Sequence, residues 1–210
     1  MLMKRGMKQI AIDPAKRRTL KAQAACIGDG WYLAGGTALG LHLGHRSSRD
    51  LDWFSPKRPD YAVLKGALER ARPAFTDQGL VVPGGSTLRF YYDGLETSFI
   101  AFNRFDAEVM TMFIDGAAVK VASIAQIAAM KAVAVCSRSE RRDYIDIYAI
   151  LQHRSWNMQR FFENSERLAR WPRQLITDAL SEVDDPKLLR TWMPSPCAYA
   201  WEEVVHGLKV

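Results

Sequence analysis

The chain has 210 residues, 48% of them hydrophobic and 25% charged, with a formal net charge of +6. That describes an ordinary globular chain of one domain, or one domain with a helical extension, and the positive excess weakly favours a polyanionic partner. Cys26, Cys136 and Cys197 are odd in number and widely spaced, which excludes a disulfide frame or zinc-type spacing. No run approaches membrane-spanning length and the basic start lacks an apolar core, so the expectation is a soluble, cytoplasmic protein with no membrane partner.

Asp13 and Pro14 predict a helix that runs to about Ile27 and is stopped by Gly28, Asp29 and Gly30. Trp31–Ala34 reads as a short apolar strand. A glycine turn at Gly35–Gly36 follows, then a helix opened by Thr37. The next strand holds Asp50 and Asp52 one residue apart, and residues 60–71 read as another helix that ends before Pro73. The period then becomes two. Gly79–Val82, Leu88–Tyr92 and Thr97–Phe102 read as strands, punctuated by Pro83–Gly84–Gly85 and by Asp93–Gly94, a good hairpin signal. Ala117–Val121 is a further short strand. From Ser123 the chain reads as helical over Ile124–Cys136, Glu140–His153, Asn157–Leu168, Pro172–Val183 and Ala198–Leu208. The expected organisation is a mixed α/β part over residues 1–122 and a helical part over 123–210, with no linker rich enough in Gly, Ser or Pro to separate independent domains.

Alternate strand side chains share a face, so Asp50 and Asp52 lie together while Leu51 and Trp53 point the other way. Two adjacent carboxylates repel, and a hard cation with oxygen ligands, Mg²⁺ or Mn²⁺, is the simplest neutraliser. A glycine turn opening a helix is an anion site, because unpaired N–H groups and the helix dipole point at it. Phosphate on one side and a metal on the other outline a nucleotide-handling site. The bland alternative is a structural turn before an exposed strand, but the apolar residues at 51, 53 and 54 argue against exposure. His45 and Arg46 read as closing the intervening helix, where cations suit its dipole, with Arg46 a planar donor for a phosphate oxygen.

The segment Ile124–Cys136 is apolar nearly all round, and Lys131 is its only charge. A lysine there is costly unless an anion meets it or its stem snorkels. Asp143 and Asp146, three apart on the next helix, offer a structural bridge to it. Ser137–Arg142 is a short basic loop, a solvated surface or a place for RNA phosphates. Trp156, Trp171, Trp192 and Trp201 read as core or interhelical packing.

Gly35-Gly36-Thr37-Ala38-Leu39, followed by His45-Arg46-Ser47-Ser48-Arg49-Asp50-Leu51-Asp52-Trp53-Phe54, resembles the signature of AbiEii/AbiGii-type nucleotidyltransferases, the toxins of bacterial toxin–antitoxin and phage-abortive systems. The likeness continues through Ala129–Leu151, where Lys131 and Asp143 take the family's matching positions, and to Trp201–Val204. It implies an α+β, polymerase-β-like nucleotidyltransferase fold: a small mixed sheet flanked by helices, with a helical C-terminal half. It further implies metal-dependent transfer of a nucleoside monophosphate from a nucleoside triphosphate to an acceptor hydroxyl, often of RNA and notably a tRNA end, and a separate antitoxin protein. On that reading Gly35, Gly36 and Thr37 hold the β and γ phosphates, Arg46 and Ser48 assist, and Asp50 and Asp52 hold the metal. Lys131 neutralises phosphate charge, and Asp143 orients it or the base. Many enzymes of this fold carry a third carboxylate on a later strand; the aligned position here is Ser98, with Glu96 on the same face. The alternatives are transfer to a small molecule or a protein, and a catalytically impaired nucleotide binder.

Overall fold

Capping chemistry sets the first helix. Asp13 stays extended and its carboxylate accepts the Lys16 N–H at 2.8 Å, and Pro14 occupies the first turn of α1 (Pro14–Cys26). The computed structural model describes residues 12–71, 87–92, 94–103 and 107–209. The expected strand over Gly79–Val82, the turn Pro83–Gly84–Gly85 and Asp93 lie outside them. The chain divides into two compact units. A sheet unit comprises Ile12–Ala38 and Ser48–Ser123, and a helical unit takes Leu39–Ser47 and the chain from Ile124 onward.

The sheet unit holds β1 (Tyr32–Ala34), β2 (Leu51–Ser55), α3 (Tyr61–Ala71), β3 (Thr87–Tyr92), β4 (Leu95–Ala101), β5 (Val109–Ile114) and β6 (Ala117–Ala122). The strand order is β3-β4-β2-β1-β6-β5. The β2–β4 and β1–β6 pairs are parallel and the rest antiparallel, so the sheet is mixed as expected. One face carries Leu33, Trp53, Phe99 and Val121 in register across four strands, all buried. Phe99 takes Trp31 edge-on at 5.0 Å and Trp53 stacked at 6.4 Å. The fully buried Gln23 of α1 pins the helix to this face. Its side-chain oxygen accepts from Trp53 Nε1 at 2.7 Å, and its amide donates to Thr97 Oγ1 at 3.1 Å.

β5 was not expected from the sequence. Val109–Ile114 is apolar at nearly every position, and its side chains are mostly exposed at the edge of the sheet, so no two-residue alternation marks it. Asp115 and Gly116, both at positive φ (47° and 82°), make the two-residue turn that joins it to β6.

α2 (Gly35–Leu43) carries the chain out of the sheet unit, beginning at Gly35 itself rather than at Thr37. The helical unit adds α4 (Ile124–Ser137), α5 (Arg141–Leu151), α6 (Met158–Ala169), α7 (Arg173–Ser181), a 3₁₀ turn at Pro186–Arg190, and α8 (Trp201–Leu208). The Asn157 side chain caps α6, accepting the Arg160 N–H at 2.8 Å. α8 starts three residues later than its sequence suggests, because the preceding backbone is used elsewhere. Ala198 N–H donates to the His45 carbonyl at 2.7 Å, Ser47 N–H donates to the Pro196 carbonyl at 2.9 Å, and Arg46 and Cys197 form an isolated antiparallel bridge. The four tryptophans of this unit are half-buried, Trp201 lying edge-on to Tyr144.

Gln23→Ala should lower the stability of the sheet unit by about 1–3 kcal/mol, because the buried Trp53 N–H loses its acceptor. Urea unfolding followed by tryptophan fluorescence measures it.

Candidate active site

Asp52 lies in β2, paired with Ala34 of β1 on one side and Ser98 of β4 on the other. Ala34 is followed by Gly35, which turns the chain into α2 at φ +67°. This residue has two reasons to be glycine: the left-handed backbone, and the approach of Asp52. A Cβ at position 35 would stand 2.7 Å from Asp52 Oδ2. The carboxylate therefore rests against the first residue of the helix, where N–H groups without intrahelical partners gather. Thr37 is buried and its hydroxyl donates to the Asp50 carbonyl at 2.6 Å, tying the approach to β2 to the first turn of α2. Lys16 Nζ donates to the Ser48 carbonyl and fixes the same approach from α1. Gly35, Thr37, Asp52 and the Asp50 carbonyl are thus brought together within the sheet unit; Asp50 stands just before β2 rather than within the strand, so strand alternation does not set its side chain beside Asp52.

Ser98, the direct neighbour of Asp52, is buried and followed across the sheet by its β3 partner Arg89. Glu96 shares their face, and its carboxylate lies 3.3 Å from Arg89 Nε.

In the helical unit, Gly44 (φ +63°) ends α2 and turns His45 and Arg46 inward. Both are buried, so they do not close the helix as exposed cations; the expectation fails because the turn at Gly44 directs them to Asp146. Asp146 Oδ1 accepts from Arg46 Nε (2.6 Å) and His45 Nε2 (2.7 Å). Its Oδ2 accepts from Arg46 Nη2 (2.7 Å) and meets Lys131 Nζ at 2.6 Å. Arg46 Nη1 donates to the Ser47 carbonyl. Lys131 also donates to Asp143 Oδ1 at 2.8 Å, and Arg138 Nε donates to Asp143 Oδ2 at 3.0 Å. Burial alone would push the Asp146 carboxyl up, but Arg46 and Lys131 outweigh it and hold it well below the usual carboxylate range. Burial likewise opposes ionisation of Asp143, and Lys131 and Arg138 again prevail. Burial lowers the His45 value, so the imidazole is neutral and donates through Nε2 to an acceptor-only partner.

The sequence places Lys131 near Asp143 and Asp146 but does not bring His45 and Arg46 into this network. The available signal was a lone lysine on an apolar helix facing two acids three residues apart. The basic stretch Ser137–Arg142 is not a bare cationic surface. Arg138 meets Asp143, Arg142 Nε lies 2.7 Å from Glu140, and Arg141 donates to the Leu189 and Thr191 carbonyls.

The mixed six-stranded sheet with its flanking helices is a nucleotidyltransferase fold of the polymerase-β type. The chain belongs to the AbiEii nucleotidyl transferase toxin family of type IV toxin–antitoxin systems, whose model matches residues 18–200. An uncharacterized protein of Aquifex aeolicus is 30% identical over 132 residues, 61% of each chain. The chain therefore spans about three fifths of that relative's length. Among solved structures, MenT4, a nucleotidyltransferase toxin of Mycobacterium tuberculosis, shares 18% identity at a TM-score of 0.54, covering 92% of this chain and 79% of its own. JHP933 from Helicobacter pylori shares 21% identity at 0.53, covering 93% and 86%. At such identities these two structures carry the fold. No helix among the described residues is long and apolar enough to cross a membrane.

Both carboxylates have folded-state values below the unfolded 3.8, and His45 has one below 6.5. Stability should therefore be complete above pH 6.5. It should decline below 6.5 as unfolded His45 takes up a proton first, and decline further below 3.8 as the two acids do the same. Asp146→Asn should cost about 3–5 kcal/mol at neutral pH by leaving Arg46 and Lys131 without their carboxylate, and should weaken the acid dependence. Thermal unfolding across pH checks both.

Proposed function

We propose that the protein transfers a nucleoside monophosphate from a nucleoside triphosphate to an acceptor hydroxyl at an RNA end, such as that of tRNA. It would act as a cytoplasmic toxin restrained by a separate antitoxin. The observation that carries this reading is the seating of the Asp52 carboxylate against Gly35 at the start of α2. Acid and anion-binding turn are thereby adjacent, an arrangement with no evident packing benefit and a clear use for a triphosphate with its metal. Family membership supports the reaction class. The net charge of +6 supports a polyanionic acceptor over a cationic drug.

Asp50 and Asp52 fit a Mg²⁺ or Mn²⁺ ion. Among the described residues no cluster of three or more His, Cys, Asp or Glu is gathered for a metal, yet Mg²⁺ commonly takes one or two carboxylates and completes its shell with water and substrate phosphates. Such an ion neutralises the triphosphate and lowers the pKa of the acceptor hydroxyl. The backbone N–H groups at Gly35 and Gly36 orient the β and γ phosphates. Thr37, through its bond to the Asp50 carbonyl, holds the acid-bearing segment at that turn. The acceptor oxygen then bonds to the α-phosphorus as the bond to pyrophosphate breaks, and the hydroxyl proton leaves to water. Lys131 is buried in the helical unit with its ammonium held by Asp143 and Asp146, so it serves that network. Ser48, whose carbonyl Lys16 holds, is assigned to assist phosphate binding. Arg46 has its donors committed to Asp146 and Ser47, so its contribution is to position that network rather than to bind phosphate directly.

Asp50→Ala and Asp52→Asn should each reduce transfer of label from α-³²P nucleotides to total RNA by roughly 10²–10³-fold while leaving the folded protein intact. Undiminished labelling in either variant would discard the assignment.

A further inference from the structure

The face of the sheet that carries Asp52 has a second charged pair with no place in the reading above. Register sets Arg89, Ser98, Asp52 and Ala34 side by side across β3, β4, β2 and β1, and Gly35 follows directly on Ala34. Residues in register share a face. Arg89 therefore stands two strands from Asp52, about 10 Å between backbones, on the side away from the glycine turn. Its side chain is 62% exposed and Ser98 between them is short and buried. No bulk at position 98 separates the guanidinium from the acids.

The order of this row gives it direction. If the pyrophosphate end of the triphosphate occupies the turn at Gly35, the departing oxygen lies on the β1 side of Asp52. In-line displacement then requires the attacking hydroxyl to approach from the opposite side, over Ser98. A nucleic-acid acceptor brings its phosphate linkages with that hydroxyl, and Arg89 is the cation standing beyond it. Glu96 lies diagonal to Arg89 on the neighbouring strand, within reach of a long side chain, with its Oε1 3.3 Å from Nε. A third metal ligand would direct its oxygens to the acids. Glu96 instead directs one to Arg89.

We infer that Arg89 binds a backbone phosphate of the acceptor strand, and that Glu96 is its positioning partner rather than a third metal carboxylate. The site then works with two carboxylates, and a planar cation occupies the flank where a further acid might stand. The inference rests on the transferase reading for its direction, but its test does not depend on turnover.

The first measurement is binding of a short fluorescein-labelled single-stranded RNA with a free terminal hydroxyl, by anisotropy, over a salt series. Arg89→Ala should weaken binding about tenfold and make the slope of log affinity against log salt shallower by about 0.7, the share of one phosphate on a single strand. Arg89→Lys should keep the slope and recover part of the affinity. In the transfer assay Arg89→Ala should raise KM for RNA without changing KM for the nucleotide, and Glu96→Gln should raise KM for RNA by a smaller factor while leaving the Mg²⁺ dependence unchanged. Wild-type affinity and slope in Arg89→Ala, no RNA binding by the wild type, or a loss in Glu96→Gln as large as that of Asp50→Ala would each overturn the inference. Arg89-dependent RNA binding without any nucleotide transfer would instead leave it standing and remove the transferase reading.

Discussion

Position 35 favours glycine on two counts, and the sheet unit's candidate site depends on that constraint. A Cβ there would meet the Asp52 carboxylate at 2.7 Å, and the backbone already sits in the left-handed region. Without a side chain, β1 turns into α2 in a single residue, so the helix starts beside Asp52 of β2. The start of α2, the Thr37 hydroxyl and the Asp50 carbonyl then lock together. An acid held at a helix N-terminus is electrostatically comfortable without a ligand.

The helical unit solves a different problem. Its apolar core takes in Lys131 and Arg46, two cations that would be prohibitive unless paired. Asp146 meets both, together with His45, and every donor arrives within 2.7 Å. A buried network of this kind contributes little net stability over an apolar core of equal volume, yet losing one member is expensive. Its consequence is placement: Lys131 has one position rather than many, and Asp143 fixes its remaining direction. The loop after α2 is stitched to residues 196–198 by main-chain bonds.

The charge pattern on the site face also shapes the chemistry. Asp52 and Arg89 stand on strands of one sheet with the buried Ser98 between them. Such a row is graded, negative at its centre and positive at its flank, and this gradient is what the proposed metal and phosphate-bearing acceptor would use.

The sequence alone marked α1 through Asp13 and Pro14, the apolar faces of the later helices through their period, and the Gly-Gly turn with its two acids through composition at short range. Each of these is written in neighbouring residues, where capping, alternation and backbone freedom act. It also carried the family resemblance, because those short-range motifs are what the resemblance matches. It could not show β5, whose apolar run at a sheet edge lacks alternation, nor that His45 and Arg46 turn inward after Gly44. It placed two acids near one lysine, but the convergence of four donors on Asp146 joins residues about a hundred positions apart. The row from Arg89 to Gly35 depends on strand register, which is set by pairing between segments distant in the chain. Those features were decided by tertiary structure, because a side chain's partner across a sheet or a buried network is fixed by where the backbone returns, and local sequence does not encode that return.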